Sequence, residues 1–131
     1  MIKTFLKPCA GRISSKFGSR LHPITKSKSF HNGVDIACYL GTPIFAPATG
    51  TITEAWTHHS GGHSLVMVSL IENVRFGFAH LDSYNVKKSD KVSKGDIIAY
   101  SGNSGKSTGP HLHFTVKKNG QWVDPESVIQ F

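Results

Sequence analysis

Short apolar runs, each soon closed by glycine, proline or asparagine, recur along the whole chain, and few stretches long enough for a helix carry a helical period. A sequence punctuated in this way buries its apolar residues on strands. The runs predict strands at Val34 to Ala37, Pro43 to Phe45, Gly50 to Ala55, Ser64 to Ser69, Val74 to His80, Asp96 to Tyr100, His111 to Lys117 and Gln121 to Val123. Thirteen glycines supply turns between them. Gly61-Gly62 and Gly102 to Gly105 are the clearest breaks, and Asn119-Gly120 is a two-residue hairpin signal between Val116 and Trp122. Asp82 to Lys91 is polar and reads as a loop. No repeat or low-complexity tract stands out.

The chain has 131 residues, of which 38% are hydrophobic. That fits one domain with a core, not a disordered segment. A domain of this size buries about 68% of the surface its unfolded chain exposes, enough to dispense with disulfide staples. We expect a single domain over 1–131, with an N-terminal arm at 1–10 and a core over about 11–125. No stretch approaches the roughly 20 apolar residues a membrane-spanning helix needs. Met1 to Lys7 is too short and too charged for a secretory apolar segment, so no export signal is expected. Cys9 and Cys38 are compatible with one disulfide or with two buried thiols, and both read as structural.

Net charge is +7, and its distribution is uneven. Lys3, Lys7, Arg12, Lys16, Arg20, Lys26 and Lys28 all precede the first acidic residue, Asp35. The later sequence is balanced, so the excess lies near the N-terminus. Such a segment favours polyanions, whether nucleic acid, anionic membranes or the phosphate-rich and carboxylate-rich polymers of a bacterial wall, or simply aids solubility. Nucleic acid is disfavoured as a partner, because no aromatic-basic motif accompanies the charge.

Eight histidines are many for this length, and some of them fall in pairs. His31 and Asp35 lie four apart around Asn32-Gly33, which argues against a helix; on an extended chain the two share a face. His111 and His113 also share a face, with Leu112 and Phe114 pointing the other way. His80 closes the apolar run from Phe76 and is expected at a strand end. Imidazoles and a carboxylate on rigid strands are what a tetrahedral zinc site requires. A lone histidine is usually structural, but two independent pairs favour a metal. The H-E-x-x-H signature is absent, which excludes a thermolysin-like arrangement. Gly102 to Thr108 is close to a phosphate-binding loop but fails as one. Tyr100 stands at the first glycine position, and a strand-like segment follows where a helix is needed.

Four segments, Gly11 to Pro23, His31-Asn32-Gly33-Val34-Asp35, Phe78-Ala79-His80-Leu81 and Ser107 to Phe114, resemble the successive motifs of the lysostaphin-type, or LytM-like, zinc endopeptidases of bacterial peptidoglycan. The likeness runs from about Pro8 to Pro125 in the family's order. It implies an all-β, antiparallel β-sandwich with a zinc-containing groove. It implies one zinc per chain on His31, Asp35 and His113, with His80 and His111 beside it as catalytic groups. Three protein ligands would leave a fourth position for water, the open coordination of a catalytic site. One of His80 and His111 would take a proton from the attacking water, and the other would hold the developing oxyanion. The residues do not say which does which.

The implied activity is lytic hydrolysis of peptidoglycan cross-bridge or stem peptides by a monomer acting at the bacterial cell wall, for instance as a phage lysin. The alternative is a non-catalytic relative that grips wall or a regulatory partner, but such a relative would be expected to lack metal ligands. A biotinyl-type carrier is disfavoured, since no Met-Lys-Met-like tip is present. Thr115 stands where the family often has Glu, and Phe78 where Tyr is common. The second change is expected to alter groove polarity. His58, His59 and His63 read as solvent-exposed or as groove wall, His22 as a loop-shaping residue, and Gly105 and Gly109 as backbone freedom in a mobile loop bordering the cleft.

Overall fold

The computed structural model describes residues 5–21, 28–71, 73–105 and 109–131. His22, Lys3, Lys26, Ser107 and Thr108 therefore lie outside the described residues. Twelve strands follow one another. The first six are β1 (Arg12–Ser15), β2 (Gly18–Leu21), β3 (Lys28–His31), β4 (Val34–Ala37), β5 (Pro43–Phe45) and β6 (Gly50–His58). Then come β7 (Gly62–Ser69), β8 (Val74–Tyr84), β9 (Lys91–Val92), β10 (Ile97–Ser101), β11 (His111–Lys118) and β12 (Gln121–Val123). One turn of 3₁₀ helix, Pro125–Ser127, is capped by the Asp124 side chain, which accepts from the Glu126 amide. No α-helix occurs among the described residues.

The main sheet is antiparallel, in the order β1-β4-β11-β8-β7-β6-β9. At the far end of β8 a branch begins: β10 pairs with Leu81 to Tyr84, and β5 pairs with β10. Ile44, Ile98 and Ala99 of this branch join Ile52, Leu65, Met67, Phe76, Phe78 and Phe114 of the main sheet in one buried cluster. The expected sandwich thus forms from a single hydrogen-bonded network folded over its own apolar face. Alternation on β11 does the sorting. Leu112, Phe114 and Val116 are fully buried, while His111 and His113 face the opposite side. Phe114 stacks on Phe76 with ring centroids 6.0 Å apart and leans on Phe78 at 5.4 Å.

Several expectations are adjusted. β6, β7 and β8 run beyond their expected ends, and part of the loop expected at Asp82 to Lys91 is strand as far as Tyr84. The exposed polar pair Asp82-Ser83 hides that extension in the sequence, although it is paired with β10. β1, β2, β3 and β9 were not expected, because their four-residue or shorter runs carry too little apolar pattern. Ahead of β1, the described residues from Phe5 on pack against the rest of the fold. The Phe5 ring meets Phe76 at 5.1 Å, the Leu6 amide donates to the Pro47 carbonyl, and the Phe45 amide donates to that of Pro8. Beyond residue 125, Ile129 is likewise fully buried and bridges to Phe5. Phe78 is fully buried and lies at the floor of the groove beside His113.

Candidate metal centre

Register builds the centre. On the paired strands β4 and β11, Asp35 stands directly opposite His113, and Ala37 opposite His111. Directly paired residues of antiparallel strands project to the same face, so the carboxylate and the imidazole are neighbours by construction. Gly33 permits this closeness: a Cβ there would lie 2.2 Å from the Phe114 carbonyl oxygen. Asn32-Gly33 separates β3 from β4, and the His31 ring at the end of β3 lies 5.1 Å from that of His113 between centroids. His113 is paired on its other side with Ala79 of β8, and the next residue is His80.

His80 is not at a strand end. It sits within β8 at a register shift, in the left-handed region with φ 63°, an uncommon conformation for a residue with a side chain. Its amide donates to the Gly61 carbonyl, 2.7 Å away. The irregularity turns the ring toward His111, at 4.7 Å between centroids. Gly62 and Gly105 face each other across the neighbouring loops, where a Cβ on Gly62 would lie 2.4 Å from Ser104. That approach brings the Ser104 carbonyl to the ring. The described part of the loop, 102–105, makes its contact with the site here.

His31 Nε2 lies 3.3 Å from Asp35 Oδ1, and His113 Nδ1 lies 2.9 Å from the same oxygen. These donor atoms fall within 4.8 Å of one another. A tetrahedral zinc with bonds of about 2.0–2.2 Å holds its donors about 3.3–3.5 Å apart, so the set has the right span. Ring orientation supplies a second test. His31 Nδ1–H donates to the Lys16 carbonyl at 2.9 Å, which leaves the Nε2 lone pair facing Asp35. His113 is reversed: Nε2–H donates to Asn32 Oδ1 at 3.0 Å, and Nδ1 faces the carboxylate. A neutral His113 therefore aims a lone pair at an anionic oxygen in hydrogen-bond range. That contact is repulsive unless a proton or a metal ion stands between them. These three residues can hold a metal ion, and outer partners that fix each ring are already in place.

Burial opposes the ionisation of Asp35. The hydrogen bond with His113 and the electrostatic influence of His113, His31 and His111 outweigh it and hold the carboxyl below its ordinary range. His80 Nδ1–H donates to the Ser104 carbonyl at 2.7 Å, and His111 Nδ1–H to that of Gly109 at 2.8 Å. Burial, the largest effect on His80, pushes its pKa down; the charges of His111 and His113 act in the same direction, against the Ser104 hydrogen bond and Asp35. His111 Nε2 lies 3.8 Å from Asp35 Oδ1. All five residues singled out in the sequence thus converge on one side of the β4-β11-β8 layer.

Beside His113 a groove of about 280 Å³ is lined by Asn32, Trp56, His58 and Trp122. His58 and His59 are exposed, and His63 is partly covered, its ring 5.7 Å from that of Tyr84. Asn32, Ser104, Trp56 and Trp122 escaped the sequence reading. Asn32 lies inside a motif and was available to it; Ser104 acts through its carbonyl, which no residue type announces.

An antiparallel β fold in which two histidines and one carboxylate can hold a metal ion, with two more imidazoles beside them, is the arrangement to which the comparisons with known proteins apply. The model of peptidase family M23 matches residues 29–125, and the chain belongs to that family. It is 42% identical over 118 residues to the DD-carboxypeptidase/endopeptidase Mpg of Neisseria meningitidis, a match that covers 89% of this chain and 27% of that protein. The chain therefore spans about a quarter of that relative's length. Among solved structures, a zinc-containing peptidase from Vibrio cholerae superposes with a TM-score of 0.86 at 34% identity, covering 92% of this chain and 39% of that one. The catalytic domain of lysostaphin from Staphylococcus simulans superposes at 0.78, also at 34% identity, covering 89% and 90%.

Proposed function

We propose that this chain is a zinc metalloendopeptidase domain that hydrolyses peptide bonds in bacterial peptidoglycan, and that it acts at the cell wall. The observation that carries the reading is the convergence of His31, Asp35 and His113 on one point, with His80 and His111 beside it. The substrate class is supported by the name of a further relative, the peptidoglycan DD-endopeptidase ShyA of Vibrio cholerae, which is 40% identical over 114 residues.

His31 Nε2, Asp35 Oδ1 and His113 Nδ1 would hold one zinc ion. When bound, the ion supplies Lewis acidity that polarises a carbonyl and makes water acidic near neutral pH. The chain's own residues do the rest. The Ser104 carbonyl fixes the Nδ1–H tautomer of His80, which leaves Nε2 as a proton acceptor, and burial keeps the ring neutral. His80 thus takes the proton from the attacking water. The Gly109 carbonyl fixes His111 in the same tautomer. Protonated also at Nε2, His111, whose ring centroid lies 4.7 Å from that of His80, would donate to the oxyanion as charge develops there. Trp56 and Trp122 wall the groove along which the peptide would lie.

Zinc quantitation combined with digestion of purified peptidoglycan, by wild type and by His31→Ala, tests the assignment. We expect one equivalent of zinc and peptide fragments from wild type, and neither from the variant. Stoichiometric zinc with intact wall would leave a metal-binding but non-hydrolytic protein.

A further inference from the structure

We propose that Cys9 and Cys38 form a reversible thiol–disulfide couple, with Cys38 as the attacking thiol and a small-molecule or protein disulfide as its oxidant. The couple is independent of the hydrolytic reading. Both cysteines are free thiols, and they share a hydrogen bond, so their sulfurs are already neighbours. The backbone holds them there. Pro8 is tied to β5 through the Phe45 amide, and Arg12 of β1 is paired with Ala37, next to Cys38. The two thiols differ in access. Cys9 is 1% exposed, whereas Cys38 is half-buried and borders a groove of about 780 Å³ with Arg12, Tyr39, Thr42 and Pro110.

An outer thiol that can be reached and an inner one that cannot is the division of labour of an attacking and a resolving cysteine. The hydrogen bond from Cys9 is the largest influence on the Cys38 thiol. Burial opposes it, Ser101, His111 and the Leu112 amide assist it, and the thiol is brought down to about 6. Cys9 is pushed up, chiefly by the same hydrogen bond. At neutral pH Cys38 is therefore mostly thiolate, and Arg12 in the groove favours an anionic oxidant such as oxidised glutathione.

The exchange balances in two steps. Cys38 thiolate attacks one sulfur of the oxidant, the oxidant's S–S bond breaks, and its first thiolate leaves and takes up a proton. Cys9 then gives up its proton and attacks Cys38 Sγ, which releases the second thiol. Two protein thiols are oxidised and one external disulfide is reduced to two thiols. The new bond closes a loop that contains His31 and Asp35.

The test treats the protein, with and without these cysteines, with oxidised glutathione at neutral pH and reads intact mass and melting temperature. Wild type should lose two hydrogens with no lasting adduct, and melt roughly 10 °C higher in a way that dithiothreitol reverses. Cys9→Ala should accumulate one glutathione on Cys38, and Cys38→Ser should remain unmodified. If Cys9→Ala does not fold, brief alkylation of wild type serves instead: Cys38 should label well before Cys9. A stable glutathione adduct on wild type, persistently reduced thiols, or Cys9 labelling first would each overturn the proposal.

Discussion

His31, His80 and His111 each give Nδ1–H to a main-chain carbonyl, and His113 alone gives Nε2–H to a side chain, Asn32. The nitrogen that each ring leaves free toward the site is thus set by its partner, and the partners are separable by mutation. Replacing His80 or His111 with Ala should leave zinc stoichiometric and lower turnover by roughly 10² to 10⁴, the usual worth of a general acid or base. Atomic absorption beside a wall-digestion assay checks it. Asn32→Ala leaves the buried-facing N–H of His113 without its acceptor and should weaken metal affinity by roughly 10- to 100-fold, read by chelator competition. His80 also predicts a pH dependence for the metal-free protein. Its folded pKa lies below the ordinary 6.5, so as pH falls the unfolded chain takes up the proton first. The stability His80 allows is therefore present above about 6.5 and is lost as pH drops toward its folded value. Denaturant titrations at several pH values should show a flatter acid decline for His80→Ala than for wild type.

At the scale of elements, β4, β11 and β8 carry four of the five site residues, and their spacing was legible because strand alternation is fixed by geometry. His111 and His113 had to share a face, and so did Asp35 with them once the strands paired. The hairpin at Asn119-Gly120 and the buried Phe114 row were legible for the same reason. What remained hidden has a physical cause in each case. β1, β2 and β3 are short and polar, so no period separates them from loop. The left-handed twist at His80 leaves no mark in residue type, since a histidine pays for it only through contacts supplied by Gly61 and Ser104. Gly62→Ala tests that support. A methyl group there meets Ser104, so we expect the Ser104 carbonyl to shift from His80 and activity to fall with zinc content retained.

Across the whole molecule, two linkages should be measurable. If the proposed site takes zinc only in the folded chain, zinc at a free concentration near one hundred times its dissociation constant should add about 2.7 kcal/mol of stability, lost on adding a chelator and seen as a lower melting temperature. The excess of positive charge near the N-terminus should draw the protein to anionic wall polymers, and pull-down on purified wall should weaken as salt rises, because exposed charges are screened over about 8 Å at physiological ionic strength. Salt-indifferent retention would assign wall affinity to the groove instead. The register shift in β8 has a consequence for length variation. Inserting or deleting one residue between Val74 and His80 would swap inward and outward positions, sending Phe76 and Phe78 into solvent and the proton acceptor into the interior. Tolerance to added chain should therefore be confined to connections beyond that strand, such as the tip around Leu70 and Ile71, where extra residues leave the phase of the sheet untouched.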